Sequence, residues 1–483
     1  MSLRVDPDRL GGRTGRHARL QGIFYDPAPW LILVATLLWA LKMAHQATCQ
    51  QNTPEAPVKT MLRMCYSDVP IIWQTNQLGM GGSATGENGL PQTPVVAMVT
   101  ALGRAITSLM APISPSASPQ QALDSGNVFV VVNAVLVFCF FLAWVLAHML
   151  MGRTSTAGIA RGRDGLLLSP PARSWDGLYI AGSLGVFTAG LLNWDLIAPA
   201  LAACALLAWS WGRPVLAGVL TGIALGAGIS AMVLVIALVV LCLRAGLLDA
   251  LARYVIAVLA AFGVVLAAGM VVSPAAVRRS YLAVLDPEVG LGSFWWILQQ
   301  AGLASSVVPG LSKLLIAAAF GLVVLFAFQV PARPRVTQVA ALLVLVGLML
   351  APTYSPQYVL WALGWVALAR PRWRDWAIFS VTEALYWAAV WGHLQGNLRL
   401  GTGDDMAYPL AILVRLAGAG WIIWQVTGDM LRPWTDAVRV GSVDDPQGGL
   451  LDHAPDARWM SEPPAGDPSP HPTPSDATAP APR

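Results

Sequence analysis

The chain has 483 residues, of which 56% are apolar and 12% charged, with a formal net charge of +4 and a mean hydropathy of +0.59. Soluble domains carry about a quarter charged residues, so this composition excludes an ordinary soluble enzyme. The apolar residues fall in blocks of roughly 15–25, separated by short connectors bearing Arg, Pro or Gly, which predicts an all-α polytopic membrane protein. Arginine supplies 27 of the 30 basic residues, clustered at block ends. That placement serves membrane orientation rather than nucleic-acid binding.

Residues 1–28 read as a cytoplasmic leader with Arg4, Arg9, Arg13, Arg16 and Arg19, without a convincing cleavage site. The block 29–47 then crosses outward. The next strong block, 127–150, is followed by Arg153, Arg161, Arg163 and Arg173 and must return. Residues 93–112 lie between them, apolar but holding Arg104; a full crossing there would break the parity. They read as a helix on the outer membrane face, within one extracytoplasmic loop, 48–126.

Residues 177–193 go out and 195–211 come back around Asn193-Trp194-Asp195. The run 214–243 is too long for one span and suits two short helices broken near Gly226–Ser230. Residues 253–272 lead to a second long extracytoplasmic loop, 273–310, and 311–330 return to Arg333 and Arg335. A second short pair, 337–352 and 357–369, turns at Pro352–Gln357; 376–392 and 408–430 complete the bundle. The count is roughly twelve crossings with both termini in the cytoplasm. The stretch 431–483 reads as a cytoplasmic disordered tail, rich in Pro, Ala, Asp and Ser from about 441. No internal repeat is evident.

Chemistry in such a chain resides in polar groups held within or beside the apolar mass. In the first loop, Tyr66-Ser67-Asp68 suits either a helix N-cap or a base facing a membrane-embedded substrate. Asn193 and Asp195 allow the same two readings. Tyr354 and Gln357 flank a polar turn, Arg278 and Arg279 join Trp295 and Trp296 in the second loop, and Glu383 and Arg415 either pair or face a cavity. Cys49 and Cys65 share the first loop, where an oxidising compartment permits a disulfide. Cys139, Cys204 and Cys242 lie in apolar blocks and read as packing residues. No Walker lysine motif or strand-linked GxGxxG unit is present, and His45, His148 and His393 are too scattered for a metal site.

Five segments in order carry a family resemblance: Cys65-Tyr66-Ser67-Asp68, Asn193-Trp194-Asp195, Trp211–Gly218, Gly292-Ser293-Phe294-Trp295 and Tyr354–Trp361. Over about residues 29–430 the chain resembles the GT-C glycosyltransferases of family 87, the actinobacterial polyprenyl-phosphate-mannose-dependent mannosyltransferases. The resemblance implies a GT-C-like bundle in the plasma membrane, a polyprenyl-phosphate sugar (mannose) as donor, and a glycolipid or glycan acceptor at the outer face. It implies no metal or other cofactor and no nucleic-acid partner.

By the same resemblance Asp68 is the catalytic base. Arg278, Arg279, Tyr354, Gln357 and His393 are candidates to bind the donor's lipid phosphate, and Tyr66, Asn193, Asp195, Trp295 and Glu383 to line the substrate pocket. Two stretches depart from the family pattern: Gly228–Met232 where relatives carry a basic residue with Tyr-Pro, and Leu90–Thr93 where they carry an aromatic-Pro pair. A secondary transporter, using Glu383 and Arg415 in broken helices, and a non-catalytic protein of the same fold are the rival readings.

Overall fold

In the computed structural model, the described residues are 26–51, 53–55, 58–86, 89–114, 116–153, 160–161, 167–168, 173–285, 288–398, 406–439 and 444–461. The leader 1–25 and the stretch 462–483 lie outside them. A two-residue antiparallel ladder, Ala160–Arg161 with Leu167–Leu168, is the sole strand pairing among the described residues; the rest of the fold is helical.

In chain order the helices are α1 (Pro27–Ala47), α2 (Asp68–Thr75), α3 (Pro94–Met110), α4 (Pro119–Arg153), α5 (Leu178–Ala181), α6 (Leu184–Ala189), α7 (Ile197–Ser210), α8 (Pro214–Ala227) and α9 (Met232–Ala245). There follow α10 (Leu248–Val272), α11 (Pro274–Leu285), α12 (Phe294–Gln300), α13 (Val308–Gln329), α14 (Val336–Leu350), α15 (Val359–Ala369), α16 (Trp373–Leu394), α17 (Ala407–Leu431) and the short α18 (Arg458–Ser461).

Five of these, α1, α4, α10, α13 and α17, are long and apolar enough to cross a bilayer. In α10 and α13 only 11% and 17% of the most apolar window is fully buried, so each presents a broad apolar face outward, as contact with lipid requires. The apolar helices α3, α7, α8, α9 and α14 are shorter than a bilayer span. The twelve crossings expected from sequence are therefore not matched by twelve full-length helices. One cause is local: the 177–193 segment is split at Gly182, and Ser183 caps α6 by accepting from the N–H groups of Gly185 and Val186 at 3.0 and 3.4 Å. The breaks expected at Gly226–Ser230 and Pro352–Gln357 are present, each leading through a 3-10 turn into the next helix.

Close packing at the centre depends on small residues. A Cβ on Gly218, Gly222 or Gly226 of α8 would meet α10 at 2.4, 2.6 and 2.5 Å, on Tyr254 O, Val258 O and Val265 respectively. This four-residue spacing lets the two backbones touch. Helix α3 stays with the first loop: Thr93 donates to Ala227 O at 2.9 Å, and Ser125 donates to Ala111 O at 2.8 Å, so its two ends rest on α8 and on the start of α4.

The end of the bundle opposite the first loop is closed by arginines. Buried Arg335 donates to both carboxylate oxygens of Asp436, at 2.8 and 3.1 Å, and to the carbonyls of Leu368 and Ala369. Burial alone would push Asp436 up, but the Arg335 guanidinium holds it below the usual carboxylate range. Arg244 bonds Asp456 and the carbonyls of Ala327 and Val330, and Asp445 accepts from Val336 N at 2.9 Å. Residues 444–461 thus do not belong to a disordered tail. Their aspartates answer arginines that the helix ends leave buried, and Trp209 donates to Gly448 O at 2.7 Å. A composition reading misses this because the segment docks through charge rather than through an apolar run.

Arg335→Met strands Asp436 in a dry site and is expected to destabilise the protein by about 3–5 kcal/mol. Thermal unfolding in detergent checks it: the single variant should melt well below wild type, and adding Asp436→Leu should recover much of the loss.

Candidate active site

The first loop is tied down at both of its approaches. Cys49 and Cys65 form a disulfide, as their shared loop suggests, and Gln46 on the last turn of α1 donates to Cys65 O at 2.7 Å. Immediately after, Ser67 caps α2, its hydroxyl accepting from Val69 N at 3.2 Å. Serine rather than aspartate fills the cap. Asp68 is then the first helical residue, and its carboxylate is left for other partners.

Those partners come from two directions. The Tyr66 hydroxyl lies near enough to the Asp68 carboxylate to favour its charged form. Asp68 N and Ser67 Oγ both donate to Leu192 O, at 2.7 and 3.2 Å, which presses the loop against the turn between α6 and α7. In that turn Asp195 N donates to Asn193 Oδ1 at 2.8 Å, and Asn193 Nδ2 donates to Asp195 Oδ2 at 3.0 Å. Asp195 therefore does not cap α7, whose N-terminus has no side-chain cap. Trp194 donates to Asn133 of α4 at 3.0 Å and locks the turn to the bundle.

The result is two carboxylates close enough for their charges to interact. Burial pushes Asp68 up, partly offset by the Tyr66 hydrogen bond. Burial pushes Asp195 up to about 6, Asn193 opposes the rise, and the Asp68 charge adds to it. Burial and the neighbouring Asp68 raise the Tyr66 hydroxyl as well, which keeps it protonated as a donor. Two aspartates held above the usual carboxylate range are stronger bases than solvated ones.

An apolar groove of ≈ 470 Å³ lies between α13 and α14, with Tyr358 among its lining residues. Ile316, Phe320, Leu343, Val344, Gly347 and Leu348 line its length. Its polar end holds Thr353, Tyr358 and Lys313. Tyr358 also feels the Asp195 charge, so one residue joins groove to carboxylates. Sequence reasoning missed Lys313 and Tyr358. The rarity of lysine, three in the chain against 27 arginines, was an available signal for the first; Tyr358 carried none beyond its place in the Tyr354–Trp361 segment.

The remaining candidates are placed elsewhere. Tyr354 is buried, donates to Glu383 at 2.8 Å and lies under the Arg415 guanidinium at 3.6 Å. Tyr386 donates to Tyr354 O at 2.7 Å, and Arg415 donates to Gly292 O at 3.2 Å. This closed knot clamps the second loop to the Pro352–Gln357 turn, and it occupies Tyr354 and Glu383 with each other. Gly292 is required there: its φ is +79° and a Cβ would fall 1.9 Å from Tyr386 Oη. Trp295 is also structural, donating to Leu350 O at 2.8 Å. His393 stacks on Tyr408 at 4.2 Å and meets Trp296 edge-on. Arg279 binds Gly86 O and Gly89 O of the first loop, whereas Arg278 is exposed on α11. Gln357 is half-buried beside Tyr358.

Among the described residues, one grouping has metal-ligand geometry: Asp444, Asp452 and His453. It lies at the arginine end, and Asp444 already pairs with Arg439 at 3.0 Å and Arg333 at 3.7 Å. Comparison with family models and with curated proteins finds no match to the chain.

Ser67→Ala removes both the α2 cap and one bond to Leu192. The expected cost is about 1–2 kcal/mol. Hydrogen exchange should rise selectively in residues 66–72 and 190–196, and protection equal to wild type in both stretches would contradict the coupling.

Proposed function

We propose that this chain is an integral-membrane glycosyltransferase. It moves a sugar, mannose by the family resemblance, from a polyprenyl phosphate to a hydroxyl of a glycolipid or glycan at the outer face of the plasma membrane, with both termini in the cytoplasm. The observation that carries the reading is an apolar groove along the lipid-facing helix α13 whose Tyr358 lies within electrostatic range of Asp195, one of a half-buried carboxylate pair. A polyprenyl chain needs the first and an attacking hydroxyl needs the second.

Asp68 is the base. Its carboxylate takes the acceptor hydroxyl proton while the acceptor oxygen bonds to the anomeric carbon and the bond from that carbon to the phosphate oxygen breaks. Tyr66, beside the Asp68 carboxylate, favours its ionised form. Asp195, oriented by Asn193, positions sugar hydroxyls beside it. The negative charge that grows on the departing lipid phosphate is met by Lys313 and the Tyr358 hydroxyl at the polar end of the groove. Attack from the Asp68 side, opposite the leaving phosphate, inverts the anomeric centre. Tyr354 and Glu383 act on geometry, by fixing the turn that carries Tyr358, and His393 does so by packing on Trp296 and Tyr408. Arg279 does the same for the first loop.

The test uses full-length protein in liposomes with polyprenyl-phosphate mannose and a membrane glycolipid extract. Asp68→Asn cannot accept the proton, and transfer is expected to fall by about 10²–10⁴-fold with donor binding retained. Near-wild-type turnover of that variant would sink the reading. The pH profile is a second check. Transfer requires Asp68 to be ionised and is fastest with an ionised Asp195 beside it, so the rate should fall as pH drops through about 6, the region to which Asp195 is raised. Asp195→Asn removes a neighbouring negative charge and should move that acid limb downward.

A further inference from the structure

A second cavity, sharing no lining residue with the groove, lies beside Tyr66 and Ser67. It has a volume of ≈ 160 Å³ and is enclosed by the last turn of α1, the disulfide, α2 and the first turns of α4. Its lining is rich in neutral polar side chains: Gln46, Gln50, Thr60, Gln74 and Asn127, with Tyr66 and Ser67 on the wall nearest Asp68. No acidic or basic residue lines it.

Gln46 is the informative member. It is 4% exposed, and its Nε2 is committed to Cys65 O, yet its Oε1 is buried without a hydrogen-bond partner. A buried amide oxygen left unpaired costs about 1–3 kcal/mol unless a ligand or water completes it. Tyr66 spans the site: it lines this cavity, neighbours Asp68, and packs on Trp391 with ring centroids 5.4 Å apart. Amides, a hydroxyl and an aromatic ring around a small uncharged cavity match a hydroxylated, uncharged group. The volume falls below the ~300–1,000 Å³ of drug-sized sites and suits a single such unit.

We propose that this cavity is an acceptor subsite that takes one neutral hexose unit, with the Gln46 amide oxygen accepting from a sugar hydroxyl. The inference rests on the glycosyltransferase reading for the word acceptor, while the hexose site itself is testable without it.

The experiment is saturation-transfer NMR on the full-length protein in nanodiscs, with methyl α-mannopyranoside and methyl β-glucopyranoside as probes and farnesyl phosphate as the probe for the groove. Wild type is expected to bind at least one hexoside. Gln46→Leu and, independently, Gln74→Leu should weaken it about tenfold, the scale of one lost hydrogen bond, without changing farnesyl phosphate binding. Gln74 is exposed on α2, so its variant leaves the fold intact even where Gln46→Leu disturbs the Cys65 contact. The proposal is overturned if wild type binds neither hexoside, or if both variants bind with wild-type affinity. Hexoside binding that is lost in the variants, in a protein that ignores farnesyl phosphate, upholds the sugar site and removes the lipid-donor reading instead.

Discussion

The carbonyl oxygen of Leu192 accepts from Asp68 N at 2.7 Å and from Ser67 Oγ at 3.2 Å, and the candidate site depends on that double contact. It joins two segments 125 residues apart in the chain. On one side stands a loop already stapled by Cys49–Cys65 and by Gln46; on the other, a turn anchored to α4 through Trp194 and Asn133. Bringing Asp68 and Asp195 together costs free energy, because like charges repel and both are partly removed from water. The surrounding hydrogen bonds offset that cost and hold the pair in place.

Charge is distributed unequally between the two ends of the bundle, with different consequences. At the arginine end each buried guanidinium meets carboxylates and carbonyls at hydrogen-bond distance, as in Arg335 with Asp436, Leu368 and Ala369. Such pairs break even in stability but penalise any alternative packing that would leave one partner alone. At the other end the carboxylates have hydroxyl and amide neighbours and no arginine bonded to them. The first arrangement is saturated and holds helix ends together. The second retains the capacity to accept a proton.

Shape contributes as much as charge. The short helices and the 3-10 turns between them leave a groove along α13 and α14, and the turn at Pro352–Gln357 sets Tyr358 at its polar end. The knot of Tyr354, Glu383, Tyr386 and Arg415 is what keeps that turn in register with the second loop. Residues that read in isolation as reactive are there consumed by each other. Lys313 and Gln46, which line the two cavities, belong to no motif that would mark them.

The chain's local chemistry determined much by itself. Apolar block lengths set the helical class, glycine and proline marked the breaks at 226–230 and 352–357, and the shared loop of Cys49 and Cys65 suggested their bond. These are properties of neighbouring residues, so one dimension suffices for them. The docking of 444–461 was decided only by the tertiary structure, because it depends on which distant arginines lack partners. So were the roles of Tyr354 and Glu383, which turn on a 2.8 Å contact between helices, and the release of Asp68 from capping by Ser67. Each of these is a competition between possible partners, and only the folded chain determines which partners are within reach.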